Sequence, residues 1–185
     1  MKWRLSFSIF LLVLMSGTTA YRWWERRLEH SQDQPICAAA RRYDIESALV
    51  KAVVWRESKF RPHTRGRVGE IGLMQLREEA AQEWADAEHL QNFAHANCFD
   101  AGTNTMAGAW YLKKLLKRYR QTDNPVPYAL ADYNAGRGNV LKWLSGAAAT
   151  NSAVFTEQIR FPGTKEYVQS VMRRYEMYRP MFAAR

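Results

Sequence analysis

The sequence predicts a mainly α fold, and three observations predict it. Apolar residues recur at helical spacing, prolines and glycines fall between those stretches, and few segments alternate like half-buried strands. A chain of 185 residues fits one domain with a short leader, long enough to bury a core without a metal or several disulfides. It contains no internal repeats and no long low-complexity run, which excludes a solenoid or a tail.

Residues 1–20, MKWRLSFSIFLLVLMSGTTA, place Lys2 and Arg4 before an apolar stretch from Leu5 to Met15 and small residues up to Ala20. That is the layout of a secretory signal peptide, or of an uncleaved membrane anchor, and export to the periplasm or cell envelope is expected. Residues 21–35, charged and aromatic without a clean period and ending in Pro35, read as a linker to a domain spanning 36–180.

From Asp44, a reasonable N-cap, Ile45, Leu49 and Val53 mark an apolar helical stripe with Ala48 and Ala52 beside it. Lys59 to Glu70, with a proline, two glycines and several arginines, reads as an exposed loop before IGLMQL. A second helix is expected from about Arg77 to Glu88. The strongest pattern follows in TNTMAGAWYLKKLLKRYR, where Leu112, Leu115, Leu116 and Tyr119 mark one face and Lys113, Lys114, Lys117 and Arg118 the other. Pro125 and Pro127 belong to the first turn of a helix that ends at Gly136. Val140 to Leu144 can add a turn or two, AAATNSAV reads as loop, and Thr164 is an expected N-cap for a last helix striped by Tyr167, Val171 and Tyr175.

The formal net charge of +9 favours polyanionic partners, and for an exported chain the wall and membrane surface come before nucleic acid. The basic residues are scattered rather than gathered in a recognition motif, so no nucleic-acid partner is expected. Cys37 and Cys98 could pair in an oxidising compartment. The four histidines show no metal-ligand spacing with them, and no metal or cofactor is expected.

Glu57, in WRESKF, lies four residues after Val53 and eight after Leu49, on the side of the core stripe. Desolvation there raises a carboxyl pKa and keeps a proton available for a leaving group. An ion pair with Arg56, Arg61 or Arg65 is the structural alternative. Downstream, Gln75 in GLMQ and Tyr133 and Asn134 in YNAG offer groups suited to sugar hydroxyls and acetamides. Trp55, Trp110 and Trp143 could supply a flat apolar surface.

Taken in order, ES at 57–58, GLMQ at 72–75, AxYNAG at 131–136 and GTKEYV at 163–168 resemble the soluble lytic transglycosylases, relatives of goose-type lysozyme. The likeness runs from about Ile36 to Tyr178 and includes Asn104, Gly108 and Tyr111-Leu112. It implies a lysozyme-like α+β superfamily domain, helical, with a substrate cleft for peptidoglycan glycan strands. Glu57 would be the catalytic acid and then base in cutting the MurNAc-GlcNAc bond, leaving a 1,6-anhydro sugar. Ser58, Met74, Gln75, Tyr133 and Asn134 would meet substrate, and Tyr167 would position the acid.

The single well-placed acid fits this chemistry, whereas ordinary glycosidases need two carboxylates. Either Glu70 or Asp132 near Glu57 would revive a lysozyme-like hydrolase. A catalytically weak wall-binding or secretion-apparatus protein is the further alternative; a monomer is expected, and an N-terminal segment left uncleaved would attach it to the membrane. Two departures stand out: Gly163 where the family usually has glutamate, and Glu70 where alanine is common.

Overall fold

The computed structural model describes residues 17–183, so most of the expected leader lies outside the described residues. A first helix, α1, runs over 17–30. It is followed by α2 (Asp33–Arg42), α3 (Ser47–Ser58), α4 (Glu78–Ala87), a 3-10 turn (His95–Phe99) and α5 (Ala101–Arg118). Then come α6 (Pro125–Ala135), α7 (Arg137–Trp143), a 3-10 turn (Gly146–Ala149), α8 (Ser152–Gln158) and α9 (Pro162–Ala183). Among the described residues, extended pairing is confined to isolated bridges, Arg65 to Ile71 and Ile71 to Leu76.

The central element is α3. Ala48 to Val54 are all buried, so the expected stripe is in fact an apolar helix on every side. It packs most extensively against α9, which runs antiparallel to it: Glu46 accepts from Tyr175 Oη at 2.6 Å near one end and Glu57 from Tyr167 Oη near the other. One charge sits inside this core. Lys51, fully buried, donates to Asp33 Oδ1 at 2.6 Å and lies 5.2 Å from the Tyr178 ring centre, with Phe60 and Phe182 beside it. A buried ammonium needs such partners.

Several boundaries differ from expectation. The segment expected as a linker, 21–35, is helical over most of its length. Contacts at helical spacing explain this: Tyr21 Oη donates to Glu25 at 3.3 Å, and Arg27 lies 5.4 Å over the Trp23 ring. Pro35 falls in the first turn of α2, where its missing N–H costs nothing. Glu29 at the end of α1 accepts from Tyr178 and reaches Arg174 at 3.4 Å, tying this helix to α9.

Asp44 is not an N-cap: it sits at φ 49 in the turn before α3, and Glu46 precedes the helix. Thr164 lies inside α9 rather than capping it, its hydroxyl donating to Asn134 Oδ1 at 2.8 Å. The expected loop AAATNSAV contains a 3-10 turn and the start of α8, which Asn151 caps by accepting from Val154 N. Phe155 of α8 is buried 4.1 Å from the Tyr128 ring, so one aromatic contact holds a helix too short to show a period.

Candidate active site

The cleft is walled by the last turn of α3, the loop between α3 and α4, the start of α4, α5 at Tyr111, and the C-terminal end of α6. The cleft measures about 410 Å³ and includes Glu57, Glu70, Gln75, Tyr111, Tyr133 and Asn134 in its lining. Lys59 (φ 52) and Phe60 (φ 63) turn the chain out of α3 directly after Glu57 and Ser58. The acid therefore sits at a helix C-terminus, whose partial negative charge disfavours an ionised carboxylate.

The loop is seated by α5. Asn104, fully buried, accepts from Met74 N at 2.7 Å and donates to Ile71 O and Cys98 O. Gly72 is obligatory: its φ is 82, and a Cβ there would stand 2.1 Å from Asn104 Nδ2. A Cβ on Gly108 would meet Met74 Sδ at 2.2 Å, so the Met74 side chain lies directly against the helix at this glycine. Tyr133 Oη then donates to Met74 O at 2.7 Å, fixing that peptide from its other end.

Glu57 is half-buried and accepts from Tyr167 Oη at 2.6 Å. Burial pushes its pKa up to about 7; the Tyr167 hydrogen bond and Arg56 oppose the rise, and the charge of Glu70 adds to it. No cation lies within ion-pair distance of it among the described residues, unlike the pairing considered from sequence. Such a carboxyl carries a proton close to neutral pH and can also give it up. Tyr133 and Tyr167 are held well above the usual phenol range by burial and by Glu57, so both remain hydroxyl donors.

The other expected site residues divide. Gln75, Tyr133 and Asn134 line the cleft with Glu57. Gln75 donates to Thr64 O and Gly72 O, committing its amide protons to the loop, while Asn134 accepts from Thr164. Ser58 and Met74 are not on the cleft wall: Ser58 is buried with its hydroxyl on Val54 O, and Met74 is fully buried against Gly108. Trp143 is buried outside the cleft, and the flat surfaces in the lining are Tyr111 and Tyr133, 5.7 Å apart and edge to face. Tyr111 entered the sequence reading only as part of the family likeness; its position one residue after Trp110 on α5 was the available signal.

Cys37 and Cys98 are unbridged: Cys98 lies fully buried in the 3-10 turn, and burial pushes its thiol up to about 12. The two candidate second acids differ. Asp132 lines the cleft but is held by Arg118 at 2.5 Å and by the Tyr119 hydroxyl at 2.7 Å. Glu70 lines it too, accepting from Val68 N at 3.2 Å and 3.5 Å from Arg77 Nε.

Solved structures share this arrangement of helices. An inactive mutant of the lytic transglycosylase Slt from Pseudomonas aeruginosa superposes with a TM-score of 0.77 at 26% identity, over 85% of this chain and 25% of that one. The 70 kDa soluble lytic transglycosylase of Escherichia coli gives 0.76 at 25% identity, over 90% and 27%; the same enzyme is also known bound to bulgecin A. The fold class is therefore the lysozyme-like fold of the lytic transglycosylases. The sequence pattern described as the transglycosylase SLT domain matches residues 34–155, more than half of the chain, and the chain belongs to that family.

Among curated relatives, the soluble lytic murein transglycosylase of Salmonella typhimurium is 30% identical over 169 residues, 89% of this chain and 26% of that protein. Its Escherichia coli K12 counterpart is 31% identical over 137 residues, 73% and 21% respectively. The chain thus spans about a quarter of the length of these relatives. Tyr167 lies beyond residues 34–155 of the family pattern, and its place in the site is given by its hydrogen bond to Glu57.

Proposed function

We propose that this domain is an exported peptidoglycan lytic transglycosylase that cuts the bond between N-acetylmuramic acid and N-acetylglucosamine. One observation carries the reading: Glu57, oriented by Tyr167 in an open cleft, is a carboxyl with no ion-pair partner among the described residues, poised near neutral pH. Protonated Glu57 gives its proton to the bridging oxygen as the bond to C1 breaks. The substrate's acetamido group stabilises the resulting cation. Glu57, now a carboxylate, takes the proton of the muramyl 6-hydroxyl, whose oxygen closes on C1 to form the 1,6-anhydro ring without consuming water. Asn134 keeps its side-chain NH2 for an acetamido carbonyl because its oxygen is occupied by Thr164. The pair Tyr111 and Tyr133 offers the apolar surface a sugar ring stacks on.

Glu70 favours a second reading, since a second carboxylate on the same cleft could activate water as in a lysozyme-like hydrolase. Mass spectrometry of released muropeptides separates the two: anhydro ends support the lyase and reducing ends the hydrolase. Glu57→Gln is expected to lower release from purified walls by about 10²–10⁴-fold while folding normally. Release near the wild-type rate would overturn the assignment.

Envelope localisation is supported by the secretory layout of residues 1–20 and by α1, on which Tyr21, Trp23 and Trp24 are exposed among Arg22, Arg26 and Arg27. Aromatic rings and arginines of this kind suit the headgroup layer of a bilayer.

A further inference from the structure

We propose that Glu70 and Gln75 form a subsite in the cleft for a sugar ammonium, so that the chain favours glycan strands whose glucosamine units have lost their acetyl groups. The inference rests on the peptidoglycan reading above and names the form of the strand that the cleft takes best. Among the described residues, the cleft lining holds three carboxyl groups, Glu57, Glu70 and Asp132, and one cation, Arg77. The cleft is thus acidic in a chain of net charge +9. Acetylated sugars offer hydroxyls and neutral amides, which call for no charged lining.

Of these acids, Glu70 is the one that presents a charge to a ligand. Asp132 is answered by Arg118 and by the Tyr119 hydroxyl, and Glu57 holds its proton close to neutral pH. Glu70 has a cationic neighbour in Arg77, whose Nε stands 3.5 Å from Oε1 on a side chain 60% exposed. An exposed pair at that distance contributes little and leaves the carboxylate open to a second cation. A cleft lined by one sign of charge also concentrates its field on what enters. That field reaches the reacting acid, since Glu70 is among the groups that raise the Glu57 value.

The loop between α3 and α4 sets the two oxygens. Gln75 is held at φ 48, a left-handed position that persists for such a residue only where its surroundings fix it. Its amide gives its protons to Thr64 O at 3.1 Å and Gly72 O at 2.8 Å, so Oε1 meets a ligand as an acceptor. Gly66 N donates to Glu70 O at 2.7 Å and Val68 N to Glu70 Oε2 at 3.2 Å, which seats the carboxylate on the same turn. A Cβ on Gly66 would collide with Glu70 Oε2 and stand 3.0 Å from Gln75 Oε1. Both oxygens therefore lie round one point, and an ammonium at about 2.8 Å from each can reach the two. It brings three donors and no acceptor, and its charge answers that of Glu70. The muramyl unit keeps its acetyl group, because that group stabilises the cation in the reaction above and Asn134 is free to hold it. The ammonium is therefore that of a glucosamine unit.

The test compares two batches of glycan strands, one of them de-N-acetylated at its glucosamine units. Both are first stripped of peptides by an amidase, so peptide amines take no part. The full chain is assayed for KM, and Glu57→Gln for binding by calorimetry. The wild type is expected to favour the de-N-acetylated strands by about fivefold, with the ratio falling as salt rises from about 0.05 to 0.5 M. Glu70→Gln, which keeps an acceptor for Val68 N, brings the ratio towards one. Arg77→Gln removes the competing cation and raises the ratio above the wild-type value. Chemical re-acetylation of the strands abolishes the difference.

A wild-type ratio of one overturns the subsite. So does a Glu70→Gln variant that loses rate on both polymers alike and keeps the ratio, which would make Glu70 the second acid of a hydrolase. If the wild type releases no product from either polymer, the enzymatic reading fails by itself. The binding ratio of Glu57→Gln, with and without Glu70→Gln, then still decides the subsite.

Discussion

Of the three carboxyl groups that line the cleft, Glu57 and Asp132 have opposite surroundings. Asp132, 2% exposed, is locked to Arg118 at 2.5 Å and to Tyr119, and its negative charge is answered on the spot. Glu57 is less buried, yet its one direct side-chain partner among the described residues is a neutral phenol, and its pKa rises to about 7. Burial with a cation makes a carboxylate part of the framework; burial without one makes it a proton donor.

The largest expected effect tests the Glu57 half of this contrast. Its folded-state value, about 7, lies above the ordinary 4.5, so the folded chain holds this proton more tightly than the unfolded one. The resulting stabilisation is complete below about 4.5 and is lost as pH rises through about 7, a swing of about 3 kcal/mol. Glu57→Gln removes it. Urea unfolding between pH 4.5 and 7 is expected to show a flatter stability profile for the variant than for wild type.

Asp132→Asn tests the other half. It leaves Arg118 without its partner beside the cleft and is expected to destabilise by about 2 kcal/mol, read as a lower Tm. Its loss of activity should be far smaller than that of Glu57→Gln. The reverse ranking would make Asp132 the working acid.

A smaller effect comes from Tyr167→Phe. The Tyr167 hydrogen bond lowers the Glu57 value, so its removal moves the pH–rate limb set by Glu57 to higher pH. The rate at neutral pH is expected to fall about tenfold, because the acid loses its orientation and, with a higher pKa, gives up its proton less readily in the first step. An unchanged limb would mean that Tyr167 is only a core residue.

The smallest concerns Gly163, near the start of α9, where a Cβ would meet no atom within 4 Å. Gly163→Glu is expected to add about 0.5 kcal/mol through the helix N-terminus, seen as a modest rise in Tm. The Tyr167 bond is already made with glycine in place, so the pH profile should not move.

Much of the helix pattern was legible because apolar spacing and proline or glycine punctuation act within a few residues. The side of α3 to which Glu57 belongs was readable for the same reason. The contrast with Asp132 was not: both acids look alike in sequence, and Arg118 reaches Asp132 only after α5 and α6 have packed. Ser58 and Met74 neighbour true cleft residues in the chain but face inward, because α3 ends at Ser58 and Met74 is pinned between Asn104 and Tyr133. The helical character of 21–30 was missed because its contacts join aromatic rings to charged groups, which no apolar period records.

The Tyr167 to Glu57 bond joins positions 110 residues apart. A chain synthesised from its N-terminus holds Glu57 long before the helix that carries Tyr167 exists, and the poised state arises only when α9 docks along α3. An unfinished chain, or one nicked ahead of α9, is therefore latent. Under the proposed function, which would turn the protein on the wall of the cell that makes it, completion of the fold serves as the safety catch.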